Sequence, residues 1–266
     1  MSEVKLKKPQ ELALMRQSGK LLAQVFAYLD QHIRAGLSTM QINDLTERYI
    51  VDQLAARPAS KGQYGFQYVL NSSVNHVVCH GVPSETQVLK AGDIVNIDIT
   101  LEKNGFIADS SKMYLIGEVT PAARQLVDKT YEAMWAGIRV VKPGATLGDV
   151  GYAIQRHAQR HGYSVVRDYC GHGIGREMHE APEVMHIGRP GQGLILREGM
   201  TFTIEPMINQ GTARTSTQKD GWTVVTRDKQ LSAQWEHTIA VTADGYEVLT
   251  LRAEEGTGQG AIQQLP

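Results

Sequence analysis

Apolar positions at the start of the chain recur at steps of three and four, the period of an amphipathic helix. They predict a first long helix after Pro9, with Leu12, Met15, Gly19, Leu22, Phe26, Leu29 and Ile33 on its apolar face. A turn at residues 35–36 and a cap at Ser38 or Thr39 follow. We predict a second helix there, and it should end before Pro58 because proline disfavours helix at the preceding residue.

The same order of elements returns about 108 residues later. A third helix is predicted from Pro121 to about Val141, and a fourth begins after a cap at Thr146. Gly36 of the first pair aligns with Gly144 of the second. The pattern therefore indicates an internal duplication.

Between the two helix pairs, residues 93–101 alternate apolar and polar, and a second apolar run starts at Phe106 after a turn-prone segment. This is typical of a β-hairpin. Side chains alternate faces along a strand, so an even-length turn places Asp98 and Asp109 on one face. A four-residue loop at residues 102–105 would set them directly opposite. Two solvated aspartates on an open face are the alternative interpretation.

The duplication reaches this hairpin. LKAGDIVNID at residues 89–98 matches LREGMTFTIE at residues 196–205, so that Asp98 falls on Glu205. A later alternating segment, residues 231–241, contributes Glu236. Four carboxylates, those of Asp98, Asp109, Glu205 and Glu236, thus occupy related places. Burying several carboxylates together is costly unless protons or cations neutralise them.

These repeats predict an α+β protein of two half-domains whose polar hairpin faces meet across a central cleft at a pseudo-twofold axis. We expect a single domain over residues 1–253, with half-repeats at about 9–117 and 118–253. The segment 254–266 is rich in Gly and Gln and is predicted to be a flexible tail.

Composition narrows the function classes. With 27 basic and 28 acidic residues, the 266-residue chain has no overall charge that favours nucleic acid or a membrane surface. The opening residues lack the apolar core of a signal peptide, so we expect a cytoplasmic protein. Cys79 and Cys170 are interpreted as packing residues of a protein in a reducing compartment.

Three histidines lie in or beside glycine-rich segments: CHGVP contains His80, CGHGIG contains His172, and MHE contains His179. Glycine allows unusual backbone angles and close approach, which suits loops that present ligands. Imidazole together with several carboxylates favours a pair of divalent ions over a structural zinc. The sequence contains no Gly-x-Ser-x-Gly elbow, phosphate loop or His-Glu-x-x-His motif. Metal-assisted hydrolysis is therefore the leading hypothesis.

The motifs SVNHVVCHGVP, NIDIT, ADSSKM, YCGHGIGREMHE, GMTFTIEPMIN, KDGWTV and SAQWEHT resemble those of the type I methionine aminopeptidases over nearly the whole chain. The resemblance implies the duplicated pita-bread fold and two divalent ions, chosen from Co, Mn, Fe(II), Zn or Ni. It implies that Asp109 and Glu236 bridge both ions, that Asp98 holds one, and that His172 and Glu205 hold the other.

The same resemblance implies that activated water attacks the first peptide carbonyl while the free amine of the substrate is bound at one metal ion. Glu205 would relay a proton to the leaving amine, His179 would stabilise the oxyanion, and His80 would contact the scissile amide. A monovalent cation site is implied at Asn75, Val77 and Ser232. The implied partners are nascent polypeptides with an N-terminal methionine, and the ribosome. We expect a monomer with no nucleic-acid or membrane partner.

The pocket for the methionine side chain departs from the family pattern. Ser60 and Asn71 stand where close bacterial relatives have cysteine, Gln63 and Phe66 where they have tyrosine, and Met178 where they have phenylalanine. Phe66, Asn71, Met178 and Trp222 are the predicted pocket residues, since thioether sulfur packs well on aromatic rings. Ordinary core packing of Phe66 and Met178 is the alternative. Two other functions remain open: a same-fold aminopeptidase acting before proline, and a non-catalytic peptide-binding relative.

Overall fold

The computed structural model describes residues 3–255 and the backbone of residues 264–265. Its helices follow the predicted order in two pairs. They are α1 (Pro9–Leu29), α2 (Thr39–Arg48), α3 (Pro121–Ile138) and α4 (Leu147–Arg160). A π-helical turn at Tyr49–Gln53 continues α2, and a 3-10 turn lies at Gln63–Gly65.

The strands follow in chain order. They are β1 (Arg57–Pro58), β2 (Leu70–Val74), β3 (Val77–Cys79), β4 (Ile94–Lys103), β5 (Phe106–Ile116), β6 (Ser164–Val165), β7 (Gly171–Gly173), β8 (Glu180–Val184), β9 (Thr201–Ile204), β10 (Met207–Asn209), β11 (Thr215–Thr217), β12 (Val224–Thr226), β13 (Ser232–Gln234), β14 (His237–Val241), β15 (Tyr246–Val248) and β16 (Gln264–Leu265).

Both predicted caps form, at Ser38 and Thr146, and Thr120 caps α3 as well. Ser38 Oγ accepts from the Gln41 backbone and Gln41 reaches back, so that both orphan groups are satisfied. Thr120 and Thr146 cap α3 and α4 in the same way through their hydroxyls. The predicted helix ends were too late, because α1 stops at Leu29 and α3 at Ile138. The apolar residues beyond these ends are buried in the turns that follow.

The predicted hairpin is the pair β4 and β5, the longest antiparallel pairing of the first half. Its register corrects the expected loop, because Lys103 pairs with Phe106 and leaves a two-residue turn at residues 104–105. Asp98 therefore lies opposite Ser111, and Asp109 lies opposite Thr100. The two aspartates still share a face, as diagonal neighbours instead of a directly opposed pair.

The strand repeated in the sequence lies in the main sheet of each half, as β4 in the first half and as β9 in the second. In the first half β1 and β2 pair with one edge of β4, β5 with the other, and β16 runs parallel to β5. In the second half the order is β15, β14, β9, β7, β8. Two three-stranded sheets complete the fold, and in one of them β3 of the first half pairs with β12 of the second.

The two halves are joined along the polar face of the hairpin. Asp109 and Thr238 exchange hydrogen bonds: the Asp109 amide donates to Thr238 Oγ1 at 3.1 Å, and that hydroxyl donates to the Asp109 carbonyl at 2.8 Å. Ser110 Oγ donates to the Glu236 carbonyl at 2.6 Å, and Ser111 forms a β-bridge with Glu236. The main sheets thus meet directly where the acids lie.

The apolar faces pack away from this junction. The opposite face of β4 is fully buried against α1 through Val95, Ile97, Ile99 and Leu101. A second cluster lies between α3, α4 and the second main sheet, and it includes Leu126, Met134, Val150, Ile154, Phe202, Ile204 and Ile239. Helices therefore cover the outside of an antiparallel core, and the polar faces are left to the cleft. None of the described helices is long and apolar enough to cross a membrane.

The predicted tail begins inside the ordered chain. Glu254 pairs with Lys112 at 2.8 Å, and Glu255 pairs with Arg252 at 2.9 Å. The backbone of residues 264–265 pairs with β5. Residues 256–263 and 266, on which most of the predicted flexibility falls, lie outside the described residues.

Close packing of α1 on the second half generates a stability prediction. A Cβ at Gly19 would overlap the carbonyl oxygen and carbon of Leu249, and neither backbone atom can turn aside. We expect Gly19→Ala to lower the free energy of unfolding by about 1–3 kcal/mol, as overpacking does. Urea unfolding measures this. Lys20→Ala, at the exposed next position, should stay within about 0.5 kcal/mol, and equal values for the two variants would contradict the packing argument.

Candidate metal centre and active site

The hairpin and its counterpart bring the four predicted carboxylates to the floor of one cleft of about 1630 Å³. Asp98 lies on β4, Asp109 on β5, Glu205 directly after β9, and Glu236 between β13 and β14. All four line the cleft together with His172, which is the centre of β7. The five residues predicted as ligands are therefore contributed by both halves.

Distances within this group are those of a shared site. His172 Nε2 lies 3.5 Å from Glu205 Oε1 and 3.8 Å from Asp109 Oδ2. Ligand atoms of Asp109, His172 and Glu236 all lie within 4.8 Å of one another. Asp98 and Asp109 are close enough for the charge of Asp98 to raise the pKa of Asp109.

Burial shifts the acid pKa values strongly upward. It raises the pKa of Asp98 to about 7, although the polar side chains of Asp109 and Asn71 act in the opposite direction and lower this pKa. It raises the pKa of Glu205 to about 8, with a further contribution from the charge of Asp98. The pKa values of Asp109 and Glu236 rise well above the ordinary range, first through burial and then through the neighbouring carboxylates. The charged forms of these acids thus require positive charge in the cleft.

His172 is oriented to bind a cation in that space. Its backbone amide donates to Thr203 Oγ1 at 3.0 Å, and Nδ1 lies 3.1 Å from the Gly173 carbonyl. A proton on Nδ1 satisfies that carbonyl and leaves the Nε2 lone pair facing the acids. Burial lowers the pKa of His172 to about 3, so its imidazole is neutral, as a ligand must be. Four carboxylates and one neutral imidazole fit divalent cations.

Several residues that orient the carboxylates had not been anticipated. Thr100 Oγ1 donates to Asp109 at 3.0 Å, and Thr203 Oγ1 donates to Glu205 at 2.7 Å. The Gln234 side chain donates to the second oxygen of Glu205 at 3.3 Å. The threonines stand two positions from an acid on the same strand face, Thr100 after Asp98 and Thr203 before Glu205, which is a signal that alternation alone could have identified.

The predicted catalytic histidines border the same cleft. His80 follows β3 with φ of +56°, and its ring meets Tyr169 edge-on at 5.5 Å between centroids. The next residue must be glycine, because a Cβ at Gly81 would overlap the Ser72 carbonyl. His179 lies with its ring 4.3 Å from that of His172. Burial lowers the pKa of His80 and of His179, so both are neutral at pH 7.

Tyr64 is a cleft residue that sequence reasoning missed. It is 73% exposed, has φ of +49°, and places its hydroxyl 3.3 Å from His179 Nδ1. The two rings lie nearly parallel, with 5.7 Å between centroids. The flanking Gly62 and Gly65, both with positive φ, are the sequence signal for a turn that presents this side chain.

All four predicted pocket residues line the cleft. Phe66 and Trp222 pack with 5.0 Å between ring centroids, and Phe66 is 4% exposed. Met178 is also buried, in a cluster that includes Phe106 and Ile174, so it serves the core as well as the cleft wall. Asn71 pairs with Asp98 across β2 and β4, and its side chain hydrogen-bonds that acid.

The residues of the predicted monovalent cation site and the two cysteines can also be located in the fold. The Asn75 carbonyl accepts from the Ser232 amide at 2.9 Å, and Val77 begins β3, so the three residues of the predicted monovalent cation site are close in the fold. Both cysteines are free, and burial raises the pKa of Cys79 and Cys170. Their thiolates are therefore scarce at neutral pH, which fits a packing role.

Comparison with known proteins agrees with this geometry. The model of metallopeptidase family M24 matches residues 13–243. A methionine aminopeptidase of Rickettsia prowazekii (strain Madrid E) is 50% identical over 93% of this chain and 95% of its own length. The methionine aminopeptidase of Escherichia coli (strain K12) is 45% identical over 95% of this chain and 96% of its own length.

A crystal structure of methionine aminopeptidase from Rickettsia prowazekii superposes with a TM-score of 0.92 at 49% identity, covering 94% of this chain and 100% of that one. The pita-bread fold and the family resemblance predicted from the motifs are thereby confirmed. The chain belongs to metallopeptidase family M24 and, within it, to the methionine aminopeptidases.

Proposed function

We propose that this protein removes the N-terminal methionine from peptides by hydrolysis that depends on two divalent ions. The observation that carries the proposal is the convergence of four buried carboxylates and a neutral imidazole in one cleft. Divalent ions bound there would supply an activated water and polarise the scissile carbonyl. Asp98, Asp109, His172, Glu205 and Glu236 are the residues that would hold them.

The residues around the proposed ligands are assigned to proton transfer, oxyanion stabilisation and binding of the methionine side chain. Glu205, held by Thr203 and Gln234, is placed to move a proton from the attacking water to the leaving amine. His179 and His80, both neutral, donate hydrogen bonds to the oxyanion and to the scissile amide. Phe66 and Trp222 form an aromatic wall against which the methionine thioether packs.

Tyr64 extends this proposal to the tautomer of His179. A phenol hydroxyl that donates to Nδ1 keeps the imidazole proton on Nε2. Nε2 is then the donor for the oxyanion, and stacking of the two rings limits its rotation. Tyr64 is therefore proposed as a positioning residue.

The substrates proposed for this chain are nascent polypeptides with a free N-terminal methionine and a small second residue. We place the reaction in the cytoplasm, with the enzyme acting as a monomer and in contact with the ribosome. The ions are chosen from Mn, Fe(II), Co, Zn and Ni, and a monovalent cation is proposed at Asn75, Val77 and Ser232. Action before proline and a non-catalytic role are less favoured, because the relatives at 45–50% identity are methionine aminopeptidases.

Hydrolysis of matched tripeptides tests the function. Protein stripped of metal and refilled with Mn, Fe(II) or Co should release methionine from Met-Ala-Ser and leave Leu-Ala-Ser, Ala-Ala-Ser and an Xaa-Pro peptide intact. Asp109→Asn should abolish release, because it removes the charge of a proposed metal ligand, whereas Asp244→Asn at an exposed position should match the wild type. Cleavage of the Xaa-Pro peptide alone would assign the other aminopeptidase activity. No cleavage with any ion would favour a binding protein.

Steady-state kinetics tests the role of Tyr64. His179→Ala should lower kcat by about 10²- to 10³-fold, the usual loss for one oxyanion donor. Tyr64→Phe keeps the ring but loses the hydroxyl, and we expect a fall in kcat of about tenfold with KM little changed. In the His179→Ala background the same substitution should have no further effect on kcat. An equal effect in both backgrounds would contradict positioning through His179, and exposed Tyr152→Phe is the control.

Metal removal should make stability depend on pH. Without metal, the pKa values of Asp98 and Glu205 in the folded state are about 7 and about 8, well above their ordinary values. At a pH between the ordinary value and the folded-state value of each acid, the folded protein therefore holds more protons than the unfolded one. Stability without metal therefore falls as pH rises through this range. Buried His172 and His186, with pKa lowered to about 3, act oppositely, but only below about pH 6.5.

Thermal unfolding of chelated protein between about pH 6.5 and pH 8.5 measures this fall. Glu205→Gln removes one titrating group and should reduce the slope of Tm against pH, and metal added back to the wild type should abolish it. A chelated wild type whose Tm stays level or rises over this range would contradict the prediction.

A further inference from the structure

A second group of metal-binding side chains lies where α3 and α4 pack together. Glu132 is on α3, His157 is in the last turn of α4, and His161 is the C-cap residue of α4. One ligand atom from each lies within 4.8 Å of the other two. In the described structure none of the three lines the catalytic cleft.

The helix period creates the histidine pair. Residues four apart on a helix lie on one face, one turn above another, and the rings of His157 and His161 have 4.9 Å between centroids. Glu132 faces them from the neighbouring helix, with Oε2 at 3.1 Å from His157 Nε2. Two ligand atoms of a tetrahedral zinc ion lie about 3.3 Å apart, as bonds of about 2.0–2.1 Å require. The Glu132–His157 pair is already at that spacing.

The Nε2 atom of His157 is a buried nitrogen at the centre of this group. It is shielded from solvent and faces Glu132 Oε2 at 3.1 Å. When the ring is neutral with its proton on Nδ1, the Nε2 lone pair points toward a position that a metal ion can share with this carboxylate oxygen. Its side chain is 24% exposed, and that of Glu132 is 43% exposed, so an ion can enter from solvent.

Local charge favours a cation here. The carbonyl groups at the C-terminal end of α4 give that end of the helix a partial negative charge, which adds to the charge of Glu132. Lys129 opposes this, with Nζ at 2.7 Å from Glu132 Oε1, but it occupies the oxygen that does not face His157. The carboxylate can therefore hold Lys129 with one oxygen and a metal ion with the other.

We propose that Glu132, His157 and His161 form a second, peripheral zinc site with three protein ligands and an open position for water. Two imidazoles and one carboxylate are a ligand set that zinc uses widely. Because its ligands come from two helices, the bound ion clamps α3 to α4. The other end of α4 lines the cleft through Leu147 and Gly148, so the clamp restrains a helix that reaches the catalytic site.

Zinc titration of enzyme loaded with manganese tests the site. At low micromolar free Zn²⁺, equilibrium dialysis should find one more zinc per wild-type chain than per His161→Gln chain. Glu132→Gln should weaken binding at this site at least about tenfold, since loss of an outer-shell partner alone has that effect. His32→Gln is the matched control, a half-buried histidine held by the Tyr28 carbonyl at 2.7 Å.

NMR of ¹⁵N-labelled histidine locates the ion independently. Zinc should shift the ring signals of His157 and His161 together in the wild type, and at the same concentration it should shift both signals much less in Glu132→Gln. Methionine release without zinc should be the same in all these variants, which shows that they fold. Equal zinc content in wild type and His161→Gln, with unmoved ring signals, would overturn the proposal.

Discussion

Mutual repulsion among four buried carboxylates is the constraint on which the rest of this structure depends. Asp98, Asp109, Glu205 and Glu236 lie together in a cleft where burial alone raises every one of their pKa values. A fold can hold such a group only if it supplies strong packing elsewhere and cations at the site. The helices on the outside supply the packing, and the central position of the acids lets both halves contribute carboxylates to one cleft.

Duplication explains how one chain builds this group economically. Each half places an acid at the same position of the repeated sequence, Asp98 within β4 and Glu205 directly after β9, and the meeting of the two halves brings them together. Hydrogen bonds between the Thr238 hydroxyl and the Asp109 backbone, and from the Ser110 hydroxyl to the Glu236 carbonyl, hold the acid-bearing segments of the two halves together. Side chains held on paired strands have little freedom, which is what a preorganised site requires.

Much of this could be predicted from the sequence. The period of apolar residues predicted four helices in the right places, and approximate alternation of apolar and polar residues put Asp98 and Asp109 on one face. The register was wrong by two residues, because alternation constrains which face a residue occupies but not the length of the turn. Tyr64 and Gln234 were missed for a different reason: their contacts cross between segments distant in sequence, and no local pattern reports such contacts.

The seam between the halves also determines when the catalytic group can exist during synthesis. Asp98 and Asp109 are synthesised long before Glu236, and Glu236, between β13 and β14, forms a β-bridge with Ser111 of β5 where it completes the group. The four carboxylates can therefore come together only after most of the second half has been synthesised.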